Sequence, residues 1–420
     1  MNSIASTEKT LNSSTRGASS VTLDANSWLI TRCRNIVFRI FSQLPSGYVE
    51  VIDRGTRYSF GKDKNDPLKA TIEIHNPKTY LQLVKGGSIG ASEAYIDNMW
   101  DTPDLTSLIR VFARAQKVTD KFEKYVSWLS KLKNKWFHFQ NRNSKSGSKK
   151  NILAHYDLGN ELYTRFLDKE MMYSAAIYPN PSATLEQAQI HKLEKICQRL
   201  SLTETDHLLE IGTGWGGLAI YAAKNYGCKV TTTTISDAQY CYAKSRVEAL
   251  GLAGQITLLK NDYRNLTGQY DKLVSIEMIE AVGYNYMDSF FKQCNARLKP
   301  GGKLLIQAIT IADQRFEHYL NNVDFIQRYI FPGGFLPSIN LMANKVAEKT
   351  DLVIEELHDI GLDYAKTLAH WRQSFLANWP GLTEFGYDEK FKRLWLFYLG
   401  YCEGAFLERS TSTVHLIARK

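Results

Sequence analysis

The residues with the clearest chemical potential are Glu210-Ile-Gly212-Thr213-Gly214-Trp215-Gly216-Gly217. They follow HLLEIG, which has the pattern of a buried strand, and precede LAIYAAKNYG, which has that of a helix. Glycines at such a junction let the chain turn tightly and bring its backbone against a ligand at the C-terminal edge of a parallel sheet. The spacing is G-x-G-x-G rather than G-x-G-x-x-G. On its own it leaves open a dinucleotide, another nucleoside-bearing cofactor, or a turn with no ligand. The six cysteines, Cys33, Cys197, Cys228, Cys241, Cys294 and Cys402, form no C-x-x-C or other metal-ligand spacing, so neither a bound metal nor a disulfide scaffold is expected. His318 and His370 have no sequence partner and read as structural.

The elements that must position the glycine loop follow from periodicity. Thr184 and Gln187 have the spacing of a capping box, and Ile190, Leu193, Ile196 and Leu200 then mark a helix. KVTTTT, QITLLKNDY, YDKLVSIEMIE and GGKLLIQAIT supply further strands, with SDAQYCYAKSRVEALG and FFKQCNARLKPGG between them. This alternation predicts an α/β fold, a doubly wound, mostly parallel sheet. Upstream, a helical SWLITRCRNIVFRIF, short strands YVEVID and ATIEIHN, and a helical YLQLVKGGSIGASEAYIDNMW predict a smaller N-terminal α+β domain. The expected organisation is a disordered Ser/Thr/Asn-rich leader over 1–24, the small domain over 25–115, a basic helix and linker over 116–150, and the main domain over 151–420.

The 420 residues are 44% hydrophobic and 23% charged, enough for a buried core. No apolar run approaches the roughly 18 residues of a membrane-spanning helix, and the N-terminus lacks the features of a signal peptide. The net charge is +9, and the stretch from Ala113 to Lys150 holds eleven Lys/Arg against Asp120 and Glu123, which accounts for all of it. Such local charge argues against a nucleic-acid partner, which more often meets spread or repeated charge. Lysines interleaved with Phe122, Tyr125, Trp128, Trp136 and Phe137 suit the surface of an anionic membrane, or simply a solvated helix before a linker.

Longer segments then carry a specific resemblance. The glycine motif resembles motif I of S-adenosylmethionine (SAM)-dependent methyltransferases. It stands with YDLGNELYTRFLDKEMMYSAAIY from Tyr156, TTISDAQ, SIEMIEAVGYNYM from Ser275, FIQRYIFPGGFLPS from Phe325 and FKRLWLFYLGYCEGAFLER. Together they resemble the cyclopropane-fatty-acyl-phospholipid synthase family, related to the mycolic acid cyclopropane synthases, over nearly all of Asn151–Lys420. The resemblance implies a class I, Rossmann-like methyltransferase fold with SAM as cofactor. It implies SAM contacts from Tyr173, Ser174, Gly212, Thr213, Gly214, Thr234, Ile235, Ser236, Gln239, Tyr263, Arg264 and Ile276. Thr213 stands where the family usually has Cys.

The implied reaction is methyl transfer to the cis double bond of a phospholipid acyl chain, followed by proton loss and closure of a three-membered ring. An alkene is a weak nucleophile, so the site must hold both partners, exclude water and stabilise cationic charge, for which aromatic faces suit. The family attributes deprotonation to a bicarbonate held by Cys, Glu, His and Tyr. Glu280 and Tyr398 match, Ala175 replaces the Cys, Gln307 the His, and Ala281 follows Glu280 where His is usual. Some branches, plant-type sequences among them, carry Gln at position 307. Gln donates a hydrogen bond but carries no proton at neutral pH. Glu280, Tyr398, Gln307 and Cys402 are the candidate catalytic residues, with Cys402 equally readable as a small buried hydrophobe. Methylation ending at a methyl- or methylene-branched chain stays open, as does another lipid-like substrate or a lipid binder without activity. A lipid substrate further implies a cytoplasmic protein reversibly bound at the inner membrane surface through the basic segment. The sequence is compatible with a homodimer.

Overall fold

The computed structural model describes residues 19–116, 118–120 and 159–420. Most of the leader expected over 1–24, most of the basic segment expected over 116–150, and the chain from there to residue 158 lie outside the described residues. Helix α1 (Ser19–Phe41) starts inside the stretch expected as a leader. No Gly or Pro lies between Ser19 and Phe41, so nothing stops the helix running back from its apolar stripe.

The N-terminal part is built on a four-stranded sheet in the order β2-β1-β3-β4. Its strands are β1 (Tyr48–Asp53), β2 (Thr56–Phe60), β3 (Lys69–Ile74) and β4 (Trp100–Asp101). Hairpin β1–β2 is antiparallel, whereas β1 and β3 run parallel. Helix α2 (Thr79–Ile96) connects β3 to β4 and breaks at Gly87, whose φ of 56° interrupts the helical run. Helix α3 (Leu105–Arg114) follows, capped by Asp104, whose carboxylate accepts from the Ser107 N–H.

The larger part carries a seven-stranded sheet in the order β10-β11-β9-β8-β5-β6-β7. Helix α4 (Leu185–Leu200) opens with both hydrogen bonds of the capping box between Thr184 and Gln187, as their spacing predicts. Then come β5 (His207–Ile211), α5 (Gly217–Tyr226), β6 (Lys229–Thr234), α6 (Asp237–Ala249), β7 (Ile256–Lys260) and β8 (Tyr270–Ile276). They are followed by α7 (Met287–Arg297), β9 (Leu298–Ile311), α8 (Ile339–Lys349), β10 (Val353–Asp359), α9 (Gly361–Ala377), α10 (Glu389–Leu407) and β11 (Thr411–Arg419). Strands β5 to β9 run parallel; β11 pairs antiparallel with both β9 and β10. Strand order reverses at β5, which has β6 on one side and β8 on the other. A parallel sheet opens its ligand crevice beyond the carboxyl ends of the strands at such a point.

The two parts share apolar packing, and α10 is where they meet. Phe397 packs against Tyr95 with ring centroids 5.6 Å apart. Gly404 lets α3 come close, since a Cβ there would lie 2.7 Å from a methyl of Ile109. Buried Arg393 donates from Nε to the Tyr95 carbonyl (2.6 Å) and from Nη2 to that of Trp100 (2.9 Å), pairs with Asp101 (3.1 Å) and lies over the Tyr95 ring. Leucine at position 393 would remove the guanidinium donors to both carbonyls, leaving Tyr95 only the Asn98 N–H (3.0 Å), and would strip Asp101 of this partner. Arg393→Leu is therefore expected to destabilise the protein by about 3 kcal/mol in urea unfolding. A change within about 0.5 kcal/mol would show that this clasp contributes nothing.

Candidate active site

A cavity of about 620 Å³ opens at the carboxyl ends of β5, β6 and β8 and runs into the N-terminal part. At one end it is walled by the glycine loop. Gly212, Gly214 and Gly216 have φ of 105°, 52° and 89°, the region that L side chains avoid. The N–H groups of Gly212 and Thr213 both reach the Thr233 carbonyl (3.1 Å each), tying the loop to β6. A Cβ on Gly212 would sit 3.2 Å from that of Met278. Beneath the loop, Thr213 and Thr232 hydroxyls meet at 2.7 Å, and Thr232 donates to Glu210 (2.5 Å), whose carboxyl burial pushes up to about 8.

Of the residues that the family resemblance points to for SAM, the cavity wall gathers Tyr173, Ser174, Gly212, Thr213, Gly214, Thr234, Ile235, Gln239, Tyr263, Arg264 and Ile276. Ser236 is elsewhere employed: its side chain accepts from the Gln239 N–H and caps α6, while its own N–H donates to Thr234. Asp262, on the same wall, holds Arg264 through two side-chain bonds of 2.8 and 2.6 Å. Polar strand ends, close backbone and a deep floor fit a nucleoside cofactor such as SAM.

The middle of the cavity is aromatic. Tyr173 from the loop before α4 meets Tyr398 of α10 hydroxyl to hydroxyl at 2.9 Å. Phe331 lies against both rings, and Trp371 backs Tyr173 at 5.2 Å. Burial pushes the Tyr398 phenol far above its ordinary value, so it stays neutral. Cys402 lines the same wall, and burial raises its thiol strongly. A thiol held protonated is a poor nucleophile. Beyond it the cavity is apolar, bounded by Ile40, Val51, Ile72, Leu83, Leu108 and Phe112 of the N-terminal part.

Glu280 lies on a short 3₁₀ turn after β8 and faces the cavity. Its Oε1 accepts from the Ile309 N–H at 2.5 Å, and its enclosed Oε2 has no hydrogen-bond partner among the described residues. Enclosure, and next the charge of Glu277, push its carboxyl well above the ordinary value. Gln307, expected beside it, is fully buried behind the wall. Its amide donates to Glu277 Oε1 (2.7 Å) and the Ala175 carbonyl (3.3 Å), and its oxygen accepts from His415 (2.8 Å).

Glu277 is the site residue that motif reading passed over, although it stands inside the quoted SIEMIE. Its backbone has a left-handed φ of 47°, a strained conformation for a non-glycine residue. Oε1 also accepts from the Ala175 N–H (2.9 Å), and Oε2 from the Tyr364 hydroxyl (3.0 Å). The four-residue bicarbonate cradle implied by the resemblance is thus reduced to Glu280 and Tyr398. Ala175 has no side-chain donor, the Gln307 side chain is fully engaged, and a second carboxyl borders the space. These residues do not fit a bound bicarbonate.

The model of the mycolic acid cyclopropane synthetase family matches residues 143–416. UfaA1 of Mycobacterium tuberculosis, a tuberculostearic acid methyltransferase, is 36% identical over 349 residues, 81% of each chain. The cyclopropane-fatty-acyl-phospholipid synthase of Escherichia coli K12 is 37% identical over 349 residues, 82% of this chain and 86% of that one. Among solved structures, the cyclopropane synthase MmaA2 from Mycobacterium tuberculosis aligns with a TM-score of 0.61 at 26% identity, over 65% of this chain and 98% of its own. The mycolic acid cyclopropane synthase CmaA1 complexed with SAH and CTAB gives 0.61 at 27% identity, with the same coverage. No helix among the described residues is long and apolar enough to cross a membrane. With the family model spanning more than half its length, the chain belongs to the mycolic acid cyclopropane synthetase family.

Proposed function

We propose that this protein transfers a methyl carbon from SAM to the cis double bond of an unsaturated phospholipid acyl chain, ending in a cyclopropane ring. The observation that carries this reading is the single cavity whose wall brings together the glycine loop, the aromatic rings of Tyr173, Phe331 and Tyr398, the Glu280 carboxyl and apolar side chains of the N-terminal part. SAM, when bound, supplies an electrophilic methyl group. The chain's own residues do the rest. The glycine loop, Gln239 and the Asp262–Arg264 pair would hold the cofactor. Tyr173, Phe331 and Tyr398 exclude water and offer ring faces to developing positive charge. Glu280, with its free Oε2, is placed to take the proton that leaves the alkyl cation.

A second reading is a methyl- or methylene-branched product, favoured by the loss of the bicarbonate cradle and by the activity named for the mycobacterial relative. Both are separated by incubating the protein with labelled SAM and vesicles of a monounsaturated phospholipid, then examining the extracted lipids. Upfield ring protons by NMR support the cyclopropane, and vinyl or branched-methyl signals support the alternative. Absence of label in any acyl chain would overturn both.

Reaching such a substrate calls for reversible attachment to the inner membrane surface. The excess Lys/Arg of the 113–150 stretch supports this, each basic side chain near anionic lipid contributing about 1 kcal/mol. Cosedimentation with anionic vesicles is expected to weaken as salt rises. Binding indifferent to salt would contradict the electrostatic part.

A further inference from the structure

Behind the cavity wall, four side chains form a hydrogen-bond chain with only one allowed direction. Arg199, at the end of α4, lies 2.5 Å from His415 Nδ1. A guanidinium only donates, so Nδ1 accepts and the imidazole proton resides on Nε2. That N–H donates to Gln307 Oε1 at 2.8 Å, which turns the Gln307 amide nitrogen onto Glu277 at 2.7 Å. Glu277 therefore stands at the accepting end, with Ala175 N–H and Tyr364 O–H as two further donors. Its main-chain N–H also returns to the Gln307 carbonyl at 2.8 Å, so two bonds hold the pair together.

We propose, on the footing of the function above, that Glu277 is a positioning residue of the reaction. Its carboxylate, locked by this chain in the strained turn after β8, supplies from the protein the negative charge that the family resemblance assigns to bicarbonate, and it acts through Glu280. In the ring-forming step a C–H bond of the transferred methyl breaks, and its electron pair closes the new C–C bond onto the cationic carbon. The proton goes to Glu280 Oε2, with no small-molecule base. Ala175 and Gln307 then become parts of one arrangement that holds Glu277.

The electrostatics around the pair agree with this division of roles. Lys192 from α4 is fully buried and bonded to Ser174 Oγ at 2.8 Å; burial pushes it down to about 8, while the charges of Glu277 and Asp168 hold it up. Tyr364 from α9, Tyr398 and Cys402 from α10 and Tyr319 are all held neutral, and burial keeps His415 on β11 uncharged. Enclosure raises Glu277 too, but its three donors and Lys192 pull it back, whereas Glu280 has only backbone donors and a carboxylate for a neighbour. Glu280 is thus the carboxyl that gains and loses the proton.

The test uses the full chain without lipid. Infrared difference spectra with ¹³C-labelled glutamate follow the Glu280 carboxyl band, assigned by its loss in Glu280→Gln, as pH is varied. In Glu277→Gln the midpoint of that band is expected to fall by about one pH unit or more. The limb of the methyl-transfer pH profile that reports Glu280 should move the same way. Arg199→Met, which loosens the chain from its half-buried far end, should shift both in the same direction by less, and it decides the matter if Glu277→Gln fails to fold. Wild-type rates should be unchanged in bicarbonate-free buffer. An unmoved midpoint in the folded variants overturns the proposal, as does wild-type activity that collapses on removing bicarbonate and returns on adding it. The expected midpoint shift with no transfer to any lipid would instead defeat the proposed function and, with it, the role in ring closure, leaving only the coupling of Glu277 to Glu280.

Discussion

Replacing Glu280 by glutamine is expected to cut methyl transfer by about 10²–10⁴-fold, the range for loss of a positioned base, while leaving SAM binding nearly intact. The same change should make the protein more stable as pH rises, and that pairing sets it apart from a structural lesion. The sign follows from the raised carboxyl. Glu280 ionises less readily in the fold than in the unfolded chain, so the native state carries no penalty at low pH. The penalty appears as pH climbs past the ordinary carboxylate value and grows until the raised native value is reached. Glutamine keeps the shape and the acceptor for the Ile309 N–H, and it never ionises. Urea unfolding at acid and at mildly alkaline pH should therefore show parity at the first and an advantage for Glu280→Gln at the second. A variant that still transfers methyl groups at near wild-type rate would remove Glu280 from the mechanism.

Gly212→Ala is expected to weaken SAM binding by roughly 5- to 150-fold, measured by calorimetry, with little change in secondary structure. Holding a side chain at the observed φ of 105° costs of order 1–3 kcal/mol. The new methyl would also press on Met278, which borders the same cavity. The loop escapes the strain by relaxing to a shape that no longer presents its backbone to the cofactor. The cost of returning then appears in affinity, at about 1.4 kcal/mol per factor of ten. Affinity unchanged by this substitution would mean that the cofactor does not touch the loop.

These two residues also mark what was legible in the sequence. Gly212 sits in a local motif, where strand, turn and helix are contiguous and each is specified by its own residues, so the spacing predicts the geometry. The parallel strands were legible for the same reason: β5 is buried along most of its length and its sequence is correspondingly apolar. Glu280 was legible through a family motif. Glu277, three residues earlier, was not, because nothing local distinguishes it from any other glutamate at a strand end. Its role comes from Ala175, Gln307 and Tyr364 converging on one carboxyl, and from a left-handed backbone angle that no periodicity encodes. Read singly, Ala175 and Gln307 are departures from the family pattern; in three dimensions they are neighbours of one charge. The apolar end of the cavity was equally hidden, since Val51, Ile72 and Leu108 read as ordinary core residues, and all three do pack as such on their other sides.

That apolar end has a thermodynamic consequence. Protein interiors are packed as densely as organic crystals, and space left inside them carries a cost that grows with its volume. A chamber of about 620 Å³ whose far wall is the hydrophobic face of the N-terminal layer is, in this light, an unfinished interior. On the proposed function, a fatty acyl chain entering it would take the place that side chains occupy in other domains, so that substrate and protein would complete a single hydrophobic interior together. Occupancy and folding would then be linked by mass action: an acyl chain bound between α10 and the N-terminal sheet would stabilise their association, and separating them would weaken its binding.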